Sequence, residues 1–199
     1  MLICALKGVN HPMAGRQQKQ PETSPGGHAP EHGDHQWHLG TTPQELAFAE
    51  FQHAMMCLSE AFFRFAGRSL AQIADDQNMS GQDSVILQVI HSGKRPKSIT
   101  DLQHFTNRTD VSNIQYSVRK LQKAGLVRRA KAEGRGAAYE LTARGLEVVD
   151  AYVRSRRELL ADFPEMDDRL IARLEDARRL VVTMTGLYDQ ASRYLIVRQ

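Results

Sequence analysis

Residues 110–145 read DVSNIQYSVRKLQKAGLVRRAKAEGRGAAYELTARG, and the fold turns on how this run divides. At about 100° per residue, Val111, Ile114, Val118 and Leu121 recur at steps of three and four and line one side of a helix. That side must be buried. Thr109, Ser112, Asn113, Tyr116, Lys120 and Lys123 fall roughly opposite, on a face without an acid. Asn, Ser and Tyr suit base edges in a major groove, whereas the flanking cations Arg119, Lys120 and Lys123 suit phosphates. A plain solvated face has a similar composition, so the neighbourhood decides between the two. Past Gly125, LVRRAKA is a short apolar and basic run, EGRG a turn and AAYELT a second short strand, which predicts a hairpin with Gly134 and Gly136 at its tip. It carries Arg128, Arg129, Lys131 and Arg135 against Glu133 and Glu140.

Upstream, SITDLQHFTNRTD holds a shorter helix with Ile99, Leu102 and Phe105 at steps of three. Ser98 and Asp101 have the spacing of a capping box, Asn107 suits a left-handed helix end, and Thr109 suits the cap of the next helix. Two helices joined by so short a turn form a helix-turn-helix. Ser80 and Asp83 repeat the box before Val85, Ile86, Val89 and Ile90, supplying a third helix. Three helices and a basic hairpin make a winged helix, whose wing suits phosphate or minor-groove contact.

Charge agrees with this placement. The whole chain is only +3, yet residues 94 to 135 hold eleven Lys or Arg and three acids, a balance of +8 that leaves −5 elsewhere. Such concentration is the electrostatic footprint of a nucleic-acid-binding module. The predicted contacts are Thr109, Ser112, Asn113, Tyr116, Arg119, Lys120 and Lys123 on the helix, Arg129, Lys131 and Arg135 on the wing, and Lys97 before it.

The order of capped helices, a helix ending in LQKAGLV, a basic hairpin and LTARG opening another helix resembles the MarR family of winged helix-turn-helix transcriptional regulators. The likeness runs from about Thr42 to the C-terminus, and RKLQKAGLVRR and AAYELTARG are its most specific parts. One feature departs from the pattern: where the family's wing commonly has Asp-x-Arg, this chain has Glu133, Gly134 and Arg135. The resemblance implies a cytoplasmic bacterial DNA-binding protein, and an effector crevice for small aromatic or lipophilic molecules between the dimerisation helices and the winged helix. Phe51, Met55, Phe62 and Phe63 offer apolar surface for such a crevice, although a stripe at this spacing is more often plain core than a ligand site.

The flanks account for the remaining length. Thr42, Pro43 and Glu45 form a strong helix start, followed by Phe48, Phe51, Met55, Leu58, Phe62 and Phe65 at three- or four-residue steps. Thr142 opens a helix through Leu146, Val149, Val153 and Leu160 that Phe163-Pro164 interrupts, and a final helix from about Asp167 to Leu195 is about 45 Å long. These apolar seams exceed what a small winged helix covers. Burial against a second copy is the economical solution, and a twofold dimer offers two recognition helices to major grooves about 34 Å apart, hence to a palindromic duplex. The predicted class is therefore mainly α with a small β-hairpin: a winged helix-turn-helix domain over 80–142, flanked by long dimerisation helices over 41–79 and 143–199.

Residues 1–40 differ in kind. They are rich in Gly, Pro and Gln, their apolar start MLICALKGV is too short for a signal peptide or membrane span, and they read as a disordered tail. His28, His32, His35 and His38 with Asp34 have ligand spacing for a transition metal only if the tail folds around it, so no metal or cofactor is assigned. Trp37 and Leu39 are candidates for docking on the first helix or a partner. Cys4 and Cys57 form no framework. Met56 and Leu58 beside Cys57 predict an apolar setting and an inert thiol, against the alternative of a redox-sensing regulator. No nucleophile elbow or phosphate-cradling Gly loop supports an enzyme. A winged-helix protein-interaction module is the other alternative, disfavoured because only Tyr116 among the outward residues is partly apolar.

Overall fold

The computed structural model describes residues 40–130, 136–161 and 168–197. The predicted tail with its histidines and Trp37, the wing-tip residues Lys131, Glu133, Gly134 and Arg135, and the Phe163-Pro164 break lie outside the described residues. The chain divides between Ala49 and Glu50 into two units, and each is described by itself.

In the first unit, helix α1 (Pro43–Ala74) begins as its sequence predicts. The Thr42 hydroxyl accepts the Glu45 N–H at 3.2 Å, and the Glu45 carboxylate accepts the Thr42 N–H at 3.0 Å. This reciprocal pair satisfies two otherwise orphaned donors.

The second unit continues with α2 (Gly81–His91), a 3-10 turn (Ser92–Lys94), β1 (Lys97–Ser98), α3 (Ile99–Thr106), α4 (Val111–Lys123), β2 (Val127–Arg129), β3 (Ala138–Leu141), α5 (Ala143–Ala161) and α6 (Asp168–Val197). Both predicted capping boxes are present, Ser80 with Asp83 and Ser98 with Asp101. Asn107 ends α3 at φ 51°, the left-handed conformation its short polar side chain tolerates. Thr109 is not a cap. Asp110 holds the N-cap position of α4 without a side-chain bond to the helix backbone, because its carboxylate is turned to Arg108.

The KAGL run closes α4 in a Schellman motif. Gly125 sits at φ 72°, its N–H donates to the Gln122 carbonyl at 2.9 Å, and the Leu126 N–H donates to the Leu121 carbonyl at 3.0 Å. The chain then enters β2 directly. The LTARG run is fixed by the same corner: the Thr142 hydroxyl accepts the Gly145 N–H at 3.0 Å and donates to the Gly125 carbonyl at 2.6 Å. A Cβ on Gly145 would collide with the Leu126 carbonyl, so only glycine permits this approach of α5 to β2. Arg144 adds bonds to the last carbonyls of α1 (Ala74, 2.9 Å) and α4 (Ala124, 3.3 Å).

The sheet is larger than the predicted hairpin. Its order is β1-β3-β2, all antiparallel, with Arg128 opposite Glu140 and Lys97 opposite Tyr139. A two-residue strand is too short to show a period in sequence, which is why β1 escapes prediction.

The core gathers Leu70 from α1, Ile86, Leu87 and Ile90 from α2, Leu102 from α3, Ile114, Val118 and Leu121 from α4, Leu126, and Val148 and Val149 from α5. Each such side chain contributes about 1.5–3 kcal/mol on burial. From α1 only the closing turns enter it, at Ala66, Gly67, Leu70, Ala71 and Ala74. The aromatic stripe expected along that helix is therefore mostly uncovered: Phe65 packs on Tyr152 with ring centroids 6.1 Å apart, whereas Leu58 is 64% exposed. In α6 no residue among 168–195 is buried, and Leu174, Leu180, Leu187 and Leu195 stand exposed.

Candidate nucleic-acid interface

Ile114, Ser117, Val118 and Leu121 carry α4 into the core, which fixes what the helix turns outward. Ser112, Tyr116, Arg119 and Lys123 lie most nearly opposite that buried line at 100° per residue, and all are exposed, Tyr116 by 60%. Gln115 is exposed beside them and was missed, although its amide is chemically suited to a base edge. Asn113 is exposed too, but its amide N–H donates to the Asp110 carboxylate at 2.9 Å. Thr109 is exposed just before the helix.

Tyr116, Arg119, Lys120 and Lys123 line a groove of about 650 Å³ whose far wall is Asp76 and Asn78, from the segment joining α1 to α2. Nothing in the sequence pairs these residues with α4. Arg119 and Lys123 form no ion pair among the described residues, and on the wing Arg129 is exposed and equally unpaired there.

Other cations of the basic segment are committed internally. Lys97 is corrected outright: it is 1% exposed, and its ammonium donates to the Ser92 carbonyl and, at 2.9 Å, to the Arg95 carbonyl. It also stands 6.0 Å from the centre of the Phe105 ring. Burial, reinforced by the nearby Arg95 charge, pushes its pKa below the ordinary lysine value. Lys97 therefore completes the end of α2 and is not a DNA contact. Lys120 is corrected as a free phosphate ligand, since its ammonium donates to the Asp83 carboxylate at 2.6 Å. Burial alone would raise the pKa of Asp83, but Lys120, the Ser80 and Ser117 hydroxyls and the Ser80 amide outweigh it and hold the carboxyl below its usual range. Arg95 pairs with Asp101, Arg108 with Asp110, and Arg128 with Glu140. The Arg95 guanidinium and then the Ser98 cap hold Asp101 well below the usual carboxylate range, and Arg108, then Asn113, do the same for Asp110.

Arg108 also leads to the second site. Its Nη1 donates to Gln82 of α2 at 2.6 Å and its Nε to Asp110 at 2.7 Å. This cluster forms the polar end of a cavity of about 630 Å³ whose apolar walls include Phe62, Phe63, Val85, Val89 and Phe105. Of the four predicted effector residues, Phe62 and Phe63 line it. Phe51 and Met55 do not, because they lie two to three turns earlier on α1. The setting predicted for Cys57 is corrected too: the thiol is exposed, with Sγ 3.4 Å from Nε2 of His53 one turn away.

Three capped helices, a three-stranded sheet and a helix with an uncommitted polar face define a winged helix domain, and residues 79–145 match the family model of the winged helix DNA-binding domain. Over about three quarters of its length the chain has the fold of solved MarR family proteins. A MarR family transcription regulator superposes with a TM-score of 0.58 at 17% identity, covering 74% of this chain and 93% of the other. The Mycobacterium tuberculosis protein RV1404 gives 0.55 at 20% identity over 71% and 95% of the two chains. A MarR family protein from Bacillus stearothermophilus gives 0.53 at 18% identity over 73% and 99%. No curated protein matches the chain in sequence. Among the described residues, no helix is long and apolar enough to cross a membrane.

Proposed function

We propose that the protein is a homodimeric transcriptional regulator of MarR type, which binds palindromic duplex DNA with α4 in the major groove and the basic wing beside it. The observation that carries this reading is the outward line Ser112, Tyr116, Arg119 and Lys123, exposed on a helix whose other side is locked into the core. Hydroxyl and phenol groups can read base edges, and the two cations can hold phosphates.

Dimerisation is supported by the apolar side chains of α6 and of Met56 and Leu58 on α1, which one chain leaves exposed. So many large apolar side chains left exposed on one helix are what an interface would cover. Regulation by a small lipophilic or aromatic molecule is supported by the cavity beneath Phe62 and Phe63, whose Arg108–Asp110 end adjoins the first residue of α4. A ligand favouring one position of that helix changes DNA affinity by its differential affinity for the two states.

Selection from a random duplex pool with the purified full-length protein tests the proposal. Enrichment of an inverted repeat with half-sites about one helical turn apart is expected. A pool that stays random, or that enriches only single half-sites, contradicts it.

A further inference from the structure

We infer that Asp83 is a positioning residue for the recognition helix, and that Lys120 is withheld from DNA to serve that role. The inference rests on the DNA-binding reading of α4. Asp83 belongs to α2 and is 1% exposed. Its carboxylate accepts the Lys120 ammonium at 2.6 Å, so α4 is gripped from the neighbouring helix at the residue beside Arg119. On its own side the carboxylate is held by the Ser80 N–H at 2.9 Å and the Ser80 hydroxyl at 2.7 Å. The acceptor is thus fixed by the cap of α2 before it meets α4.

The consequence follows from helix geometry. Arg119 directly precedes the gripped Lys120, about 100° round the helix, and Tyr116 lies one turn earlier beside the same groove, so the angle at which they are presented is set by this grip. Apolar packing tolerates small rotations of a helix, whereas charge-assisted hydrogen bonds are directional. The pair also removes Lys120 from the phosphate count, because an ammonium already neutralised by a buried carboxylate releases no counterion from DNA. Arg119 and Lys123 keep that role.

The test measures affinity against salt, and the ratio of affinities for the selected and a scrambled duplex, for the full chain and for Lys120→Met. The expected result is an unchanged salt slope with the ratio lowered about 5- to 30-fold. A slope reduced in magnitude by about 0.9 per protomer with the ratio intact makes Lys120 a phosphate contact and overturns the inference. So does a variant unchanged in both. Asp83→Asn, which keeps the shape and the cap, should lose the same discrimination. Should either single variant lose its helical circular dichroism, Asp83→Asn/Lys120→Met leaves no unpaired buried charge and is judged by the same two readouts.

Amide exchange separates this inference from the DNA reading. Faster exchange in α4 than in α5 on Asp83→Asn is expected whether or not any duplex binds, and equal exchange overturns the grip. If the wild-type protein binds no duplex while Asp83→Asn still shows this exchange difference, the DNA reading alone is refuted.

Discussion

The terminal helix α6 is richer in apolar residues than the winged domain, yet the two end in opposite states. In the winged domain, Ile86, Leu102, Ile114 and Leu121 are sealed, and even the charged Asp83 and Lys97 have partners. In α6, Leu174, Leu180 and Leu187 lie open on a helix of 30 residues. The difference teaches that the winged domain buries its apolar residues within one chain, whereas α6 leaves its own exposed. Under the proposed dimer, specificity belongs to the first region and half-site spacing to the second.

The largest effect should come from attacking the open region. Leu180→Glu combined with Leu187→Glu should halve the sedimenting mass and lower affinity for the palindrome by at least about 100-fold, while leaving the winged domain folded, because a monomer loses one of its two half-site contacts. An unchanged mass would show that α6 is covered within its own chain. Next, Ile114→Ala should cost about 3 kcal/mol in denaturant unfolding, since it leaves a cavity in a sealed core. The matching change Leu187→Ala, at a site 54% exposed, should cost much less in a dilute sample where the dimer is dissociated. Equal costs would erase the distinction between the regions.

A smaller effect is expected at single cations. Arg119→Ala or Lys123→Ala should each flatten the salt dependence of DNA affinity by about 0.9 per protomer, measured by fluorescence anisotropy. The smallest concerns pH. Asp83, Asp101 and Asp110 have folded pKa values below the ordinary 3.8, so each contributes stability that is fully present above that value and is lost as pH falls through the folded one. The thermal midpoint should therefore be flat between about pH 7 and 5 and decline only below about pH 4. A decline centred near pH 6 would point to histidines instead.

Much of the fold was legible because its signals are local. The boxes at Ser80 and Ser98, the left-handed Asn107 and the KAGL and LTARG corners each lie within six residues, and each stands as its local chemistry demands. The outward face of α4 was legible for the same reason, as helical periodicity fixes it once the buried side is known. Three-dimensional pairing was not. The partner of Lys120 lies 37 positions away in Asp83, and nothing local distinguishes Lys120 from the unpaired Lys123. Lys97 looked like one more cation of a basic run until β1 carried it under Phe105. Counting charge along the sequence thus overstated what is available to DNA: Lys97, Arg95, Arg108, Lys120 and Arg128 are all internally engaged. Thr109 failed as a cap because its neighbour Asp110 took that position, and Asp110 in turn prefers Arg108.

The central claim is that DNA is held by cations of the basic segment that are unpaired among the described residues. Arg119, Lys123 and Arg129 in each of two protomers should give a plot of log affinity against log salt on the selected palindrome a slope of about −5 or steeper. A slope near zero on that duplex would contradict the account.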